Sequence, residues 1–322
     1  MMKKRIKASM LAFLITLIMT ISISYLGKSI EAFGSPTDDT SVNLVIDSLN
    51  IHKLPSHFRK SSDKVNTEDN ESLNLTGLDT LNISGSEQFS ENGLALIKNS
   101  IGASMPIVVV DLRQESHGFI NGIPVSWANS KNNANMGLTK EQVLADERNR
   151  LQSIKLHEPL VLHGHHGKTV IPTKVQDERE LVKSQLMSYV RIPVTDGKLP
   201  TDDMVDYFVE LVNSQPKDSW VHFHCKQGIG RTTTFMIMYD IMKNSKEVNL
   251  DDIVKRQVLL SNMSPTSAQG FYNEERKNFL TNFYNYSKEN NDNFKTKWSE
   301  WKKNSSTNSA MINELYVMDL GA

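Results

Sequence analysis

His224-Cys225-Lys226-Gln227-Gly228-Ile229-Gly230-Arg231-Thr232 contains the single cysteine of a 322-residue chain, with five residues between that thiol and an arginine. The run from Ser219 to His224 reads as a buried strand, and Thr233 to Met242 reads as an apolar helix. A loop between a strand end and a helix start is a ready anion site, because the first helical N–H groups lack partners and the macrodipole adds positive potential. Gly228 and Gly230 let the backbone curl so that these N–H groups turn inward. An ordinary thiol titrates near about 8.5, but a helix N-terminus with a cationic neighbour lowers this to roughly 3.5 to 7.5. Arg231 and His224 favour thiolate at Cys225 in the same way, and a thiolate can attack phosphorus. Arg231 presents a planar fork to two phosphate oxygens, Lys226, Gln227, Gly228, Ile229 and Gly230 line the loop, and Thr232 is placed to hydrogen-bond the sulfur. A small buried hydrophobe is the commoner role of a lone cysteine, but it leaves the ordered strand, loop, glycines, arginine and helix unexplained.

The pattern His-Cys-x-x-Gly-x-x-Arg-Thr resembles that of the cysteine-dependent protein tyrosine phosphatase superfamily. Rhodanese-type sulfurtransferases share the strand-to-helix cysteine but use a shorter loop that fits sulfur. The resemblance implies a leaving-group acid, an aspartate on a loop a few tens of residues upstream. Asp196 fits it best, 29 residues before Cys225 at the end of the strand-like run Tyr189 to Val194, with Gly197 as a hinge. Asp202 and Asp203 compete, yet Pro200-Thr201-Asp202-Asp203 reads as a helix start.

Leu81 to Ser90, Val108 to Gly122, Ala145-Asp146-Glu147-Arg148, Lys255-Arg256-Gln257 and Trp298-x-x-Trp301 occur in the order in which similar segments occur in the bacterial cysteine phytases, the phosphatase-like inositol polyphosphatases. The resemblance runs from about residue 51 to residue 303. It implies an α/β fold, a protein tyrosine phosphatase-like central sheet flanked by helices, with a small partial β-barrel domain beside a wide basic pocket. It also implies stepwise hydrolysis of phosphorylated myo-inositols without metal or other cofactor, and it places Arg59 beside the substrate. Two departures bear on substrate preference: Gly197 stands where the family carries histidine, and Ser264 to Gly270 lacks the family's lysines. Lys226 adds positive charge inside the loop, which suits a small polyanionic substrate; lipid phosphatases of the superfamily share that lysine. The histidines of His163-Gly164-His165-His166-Gly167-Lys168 lack a nearby acidic or cysteine ligand and read as a solvated hairpin. Asp111, Arg113, Glu115 and His117 cluster after an apolar strand, where open α/β sheets put ligands, and the resemblance places this turn near the active site; as the alternative, pairing of Asp111 and Arg113 with Glu147 or Arg148 would lock the sheet edge.

Lys3-Lys4-Arg5-Ile6-Lys7 followed by the uncharged run Met10 to Leu26 reads as a secretory signal with cleavage before Ser35; an uncleaved anchor is the alternative, and the only expected membrane contact. Without residues 1–34 the chain keeps 31 basic and 36 acidic residues, a formal charge of −5. That balance excludes a nucleic-acid footprint and confines anion binding to local pockets. One cysteine allows no internal disulfide, so a secreted or cell-surface product must draw its stability from its core.

The remaining 288 residues suit one domain with a small appendage. Residues 35–50 read as a flexible polar segment, 51–303 as the phosphatase domain, and 304–322 as a tail. Residues 51–60 and 155–175 supply the β-barrel. Helices are expected at 88–101, 138–153, 176–187, 201–214, 231–244, 249–262 and 271–290, and a strand at 106–113. The readings are therefore an inositol polyphosphatase, a protein tyrosine, dual-specificity or phosphoinositide phosphatase, or a catalytically silent phosphate-binding module.

Overall fold

The computed structural model describes residues 41–48, 51–66, 72–102, 105–164, 167–216, 218–305 and 307; the expected leader and nearly all of the 304–322 tail lie outside them. From Val42 onward the chain forms one unit. Its first half contains β1 (Asn43–Ile46), β2 (Arg59–Lys60), β3 (Ile83–Ser86), α1 (Glu91–Ile101), β4 (Ile107–Arg113), β5 (His117–Ile120), β6 (Ile123–Ala128) and α2 (Lys140–Gln152). There follow β7 (Leu160–Leu162), β8 (Lys168–Val170), β9 (Val175–Gln176), α3 (Glu178–Ser184), β10 (Ser188–Val194) and α4 (Asp202–Ser214). The last part contains β11 (Trp220–His224), α5 (Gly230–Asn244), α6 (Leu250–Ser261), α7 (Pro265–Phe271) and α8 (Glu274–Glu289).

The main sheet runs β10-β4-β11-β3-β2, parallel except for β2. Every residue of β11 and of β4 is buried, the signature of strands covered on both faces by helices. One face packs on α5, in which eleven residues are buried, together with Phe208, Phe283 and Trp298. Phe208 meets Phe235 edge-on at 5.1 Å between centroids, a favoured aromatic geometry. Phe89, Leu94, Ile97 and Leu181 cover the other face. Sequence signals set the helix ends: Ser90 accepts from the Gly93 N–H at the start of α1, and Gly102, at φ 61°, closes it with an N–H to Lys98 O. The mixed α/β architecture expected from the sequence is thus present.

A second sheet, β1-β6-β5-β9, is antiparallel, and β7 and β8 form a separate hairpin joined to it by a bridge between Val45 and His163. Three expectations change here. Residues 43–46, expected to be loose, pair with β6. Residues 59–60 do not join the small sheet; Arg59 pairs with Gly85 at the edge of the main one. Among the described residues the small sheets form no closed barrel, and their strands come from 43–46 and 117–128 as well as from 160–176. The helix expected over 271–290 is present as α8, capped by Asn273, and α7, opened by Ser264 with Pro265, is an additional helix in a stretch for which none was expected.

Candidate active site

Strand β11 lies between β3 and β4, and its C-terminal end carries the Cys225 loop to the carboxyl edge of the parallel sheet, where open α/β folds place ligands. The loop curls tightly. Gly228 has φ +73°, and a Cβ there would lie 2.4 Å from Glu87 N and 2.5 Å from Ser86 C, so only glycine lets the loop press against the end of β3. Gln88 N–H donates to Lys226 O at 3.2 Å and ties the loop down. No side chain caps α5, which leaves its first amides facing the loop's concave side. Cys225 is 2% exposed and its Sγ receives two hydrogen bonds, from Gly228 N–H at 3.3 Å and Thr232 Oγ1 at 3.1 Å.

Arg231 is fixed from below by Glu115. Its Nη1 donates to Glu115 Oε2 at 2.8 Å and its Nη2 to Oε1 at 3.1 Å, while Nη1 also reaches Val194 O. Burial works to raise the Glu115 pKa, but Arg231 and Arg113 override it and hold the carboxyl well below its usual value. Arg231 Nη2 also lies 3.2 Å from Asp196 Oδ1, and its buried Nε has no protein partner, leaving a donor for a bound anion. Asn132, left-handed at φ 52°, donates to Asp196 Oδ2 at 2.7 Å and to Glu115 Oε1 at 3.1 Å.

Beneath the loop lies a dry layer of paired charges. Arg113 donates to Asp47 and Glu115, both at 2.8 Å, and Arg191 to Asp111 at 2.7 Å and Glu147 at 3.2 Å. His117 lies 3.2 Å from Asp111 and 3.3 Å from Glu178. Burial opposes its protonation, yet Asp111 raises it to about 10, so the ring is cationic at neutral pH. Burial likewise opposes ionisation of Glu178, but His224 draws it down to about 2. Asp111, Glu178 and His224 bring candidate metal-ligand atoms within 4.8 Å of one another. Arg191 and His117 already supply that cluster with positive charge, so its donors serve an ion-pair network.

Several expected site residues converge: Cys225, Thr232, Arg231, Asp196 and the loop glycines. Others move. His224 Nε2 lies 2.6 Å from Glu178 Oε1 and faces the charged layer. Lys226 Nζ lies 3.3 Å from the buried Asp47 and 3.4 Å from Asn132 Oδ1, while Gln227 is exposed. Arg59, expected beside the substrate, is 2% exposed; its guanidinium donates to His57 O, Gly228 O and Thr233 Oγ1, on the loop itself. Asp202 accepts from Trp298 Nε1 and Lys302, as a helix-start residue rather than an acid. Asp111 and Arg113 form ion pairs, but with Arg191, Asp47 and Glu115 in place of the expected Glu147 or Arg148. Glu115 lies in the turn that the resemblance placed near the active site, and it holds Arg231 there, whereas Asp47 and Asn132 were not legible as site residues. Only Asn132 carried a signal, as one of the few residue types that tolerate a left-handed backbone.

A family model for PTP-like phytases, described by inositol hexakisphosphate, matches residues 110–243. The effector protein hopD2 of Pseudomonas syringae pv. tomato is 29% identical over 288 residues, covering 83% of this chain and 60% of hopD2. Among solved structures, the PTP-like myo-inositol phosphatase of Mitsuokella multacida, in complex with myo-inositol-(1,3,4,5)-tetrakisphosphate, is 32% identical with a TM-score of 0.75. That likeness covers 87% of this chain and 52% of the Mitsuokella chain. A PTP-like phytase of Bdellovibrio bacteriovorus is 34% identical with a TM-score of 0.67, covering 84% of this chain and 97% of that one. This chain therefore spans about three fifths of hopD2 and about half of the Mitsuokella protein.

Proposed function

The chain belongs to the PTP-like phytase family, and from that premise we propose that it hydrolyses phosphomonoesters of inositol polyphosphates through a phosphocysteine at Cys225. The observation that carries the proposal is the sulfur held by Gly228 N–H and the Thr232 hydroxyl, next to an arginine 3.2 Å from a carboxylate. In the first step Cys225 Sγ attacks phosphorus and the P–O bond to the inositol breaks. Arg231 and the loop amides hold the equatorial oxygens, and Asp196 gives its proton to the leaving alcohol. In the second step Asp196, now a carboxylate, takes a proton from water. The water oxygen attacks phosphorus, the S–P bond breaks, and Cys225 returns as thiolate, helped by the Thr232 hydroxyl.

The tetrakisphosphate held by the Mitsuokella relative supports a polyanionic inositol substrate. The pairing of Lys226 with Asp47 supports a second reading, in which a less highly charged ester, a phosphoinositide or a phosphotyrosine peptide, is preferred. The name of the effector relative hopD2 and the basic, then apolar, N-terminal sequence support delivery outside the cell. Among the described residues no helix is long and apolar enough to cross a membrane. Purified protein assayed with chelator on inositol hexakisphosphate, inositol tetrakisphosphate, a phosphoinositide and phosphotyrosine peptides tests the substrate. Turnover of the inositol phosphates at least tenfold above the peptides supports the first reading, and the reverse order supports the second. Loss of turnover on adding chelator would reject the cysteine mechanism. Fractionation of producing cells, with the tagged chain found outside them or only inside, decides export.

A further inference from the structure

We propose that Arg59, far from touching substrate, is the positioning residue that keeps the Cys225 sulfur anionic, by supplying the uncompensated positive charge behind the phosphate loop. The inference rests on the phosphocysteine reading above and assigns the residue that prepares its nucleophile.

The argument begins with pairing. Five arginines are buried among the described residues, Arg59, Arg113, Arg191, Arg231 and Arg256. Four of them hold carboxylates: Arg113 has Asp47 and Glu115, Arg191 has Asp111 and Glu147, Arg231 has Glu115 and Asp196, and Arg256 has Asp240. Arg59 alone holds none, and its three hydrogen bonds go to two backbone carbonyls and a hydroxyl. A buried charge without a counter-charge is costly, so an anion must balance it. The other cations around the loop are already matched, Lys226 by Asp47 and Arg231 by its two carboxylates. Burial draws the Arg59 pKa down to about 10, and the charge that resists the fall is Cys225. The guanidinium therefore stays protonated at neutral pH and favours thiolate over thiol.

The contacts of Arg59 reach the sulfur's own donors. It grips Gly228 O at 2.6 Å, and the same residue's N–H donates to Sγ; it grips Thr233 Oγ1 at 2.9 Å, next to the Thr232 hydroxyl that also donates to Sγ. Room for it is made across the sheet: Arg59 pairs with Gly85, where a Cβ would lie 3.2 Å from the Arg59 Cζ and 2.7 Å from Thr232 Cγ2.

Because Cys225 is the only thiol, the thiolate absorbance of the full chain near 240 nm, read against Cys225→Ser, reports it alone. The wild type should hold most of its thiolate signal at pH 6.5. In Arg59→Met the titration profile should move up by about one pH unit or more, so that thiolate below the midpoint falls about tenfold. In Arg59→Lys, which keeps the charge and loses the fork, it should move by less than half as much. Iodoacetamide inactivation should follow the same profiles. An Arg59→Met profile superimposable on the wild type, with circular dichroism showing a folded chain, overturns the proposal. So do equal shifts in Arg59→Lys and Arg59→Met, and so does a wild-type profile like that of a free thiol, which needs no variant to fold. Failure of the phosphatase reading is separate, since it would appear as absent turnover by a wild type whose thiol still titrates low.

Discussion

The nine residues from His224 to Thr232 and the charged layer beneath them differ in how they are assembled. The loop is contiguous: strand, curl and helix follow one another, and backbone geometry aims the Gly228 N–H at the sulfur. The layer draws Asp47 from the turn after β1, Asp111 and Arg113 from β4, Glu147 from α2, Glu178 from α3 and Arg191 from β10. Chemistry resides in the first and orientation in the second. Glu115 and Asp196 join them, since both touch Arg231. The comparison teaches that a reactive loop is encoded locally, whereas the rigidity that makes it useful is encoded by long-range pairing.

That division predicts a graded set of losses. Cys225→Ser should cut turnover by about 10⁴-fold or more, because the nucleophile goes. If steady-state assays retain more than a hundredth of wild-type turnover, the loop is not the chemical centre. Asp196→Asn should slow alkyl phosphates by about 10² to 10⁴-fold and aryl phosphates far less, since only a poor leaving group needs the proton. Equal loss on both classes would remove Asp196 from the acid's role and leave it as a contact of Arg231.

The layer should respond in stability. Glu115→Ala leaves Arg231 and Arg113 short of a buried counter-charge and should cost about 3 to 5 kcal/mol in urea unfolding, with kcat falling as Arg231 swings free. A cost below about 1 kcal/mol would mean that the layer does not hold the loop. The sign of the pH dependence follows from His117, whose folded pKa of about 10 exceeds its unfolded value of about 6.5. Its contribution is complete below about 6.5 and is lost as pH rises through about 10, so the urea midpoint should fall across that window and fall less in His117→Gln. Glu178 acts at the other end: its contribution is present above the usual glutamate value of 4.5 and is lost as pH falls toward about 2. The smallest effect belongs to Lys226→Ala, which should raise KM for inositol polyphosphates only about two- to fivefold, and less at high salt, because Asp47 already screens that lysine.

The sequence made the loop legible because its requirements are local: two glycines, a helix start and an arginine at fixed distance. The helices and β4 were legible through caps and apolar periodicity, as Ser90 and Gly102 illustrate for α1. The small sheet was harder. Its strand at Asn43–Ile46 is only four residues long, and the strand signal of Val45 and Ile46 is diluted by the polar residues around it, so that pairing with β6 shows only in the structure. The β5–β6 hairpin did carry a signal, the Asn121-Gly122 pair with both φ values positive, between apolar residues. Arg59 illustrates what composition hides. A resemblance of segments put it beside the substrate, whereas a two-residue pairing with Gly85 turns it under the loop. Asp47 looks like an ordinary acidic residue and Glu115 is marked only by its place after an apolar strand; three-dimensional packing shows which arginine each one holds.

The central claim is that phosphorus passes through the sulfur of Cys225. Rapid acid quench of the full chain turning over ³²P-labelled inositol polyphosphate, followed by peptide mapping, tests it most directly. The account predicts label on the peptide containing Cys225, accumulating further in Asp196→Asn where water attack is slowed, and absent from Cys225→Ser. Sustained turnover with no label on that peptide at any time would contradict it.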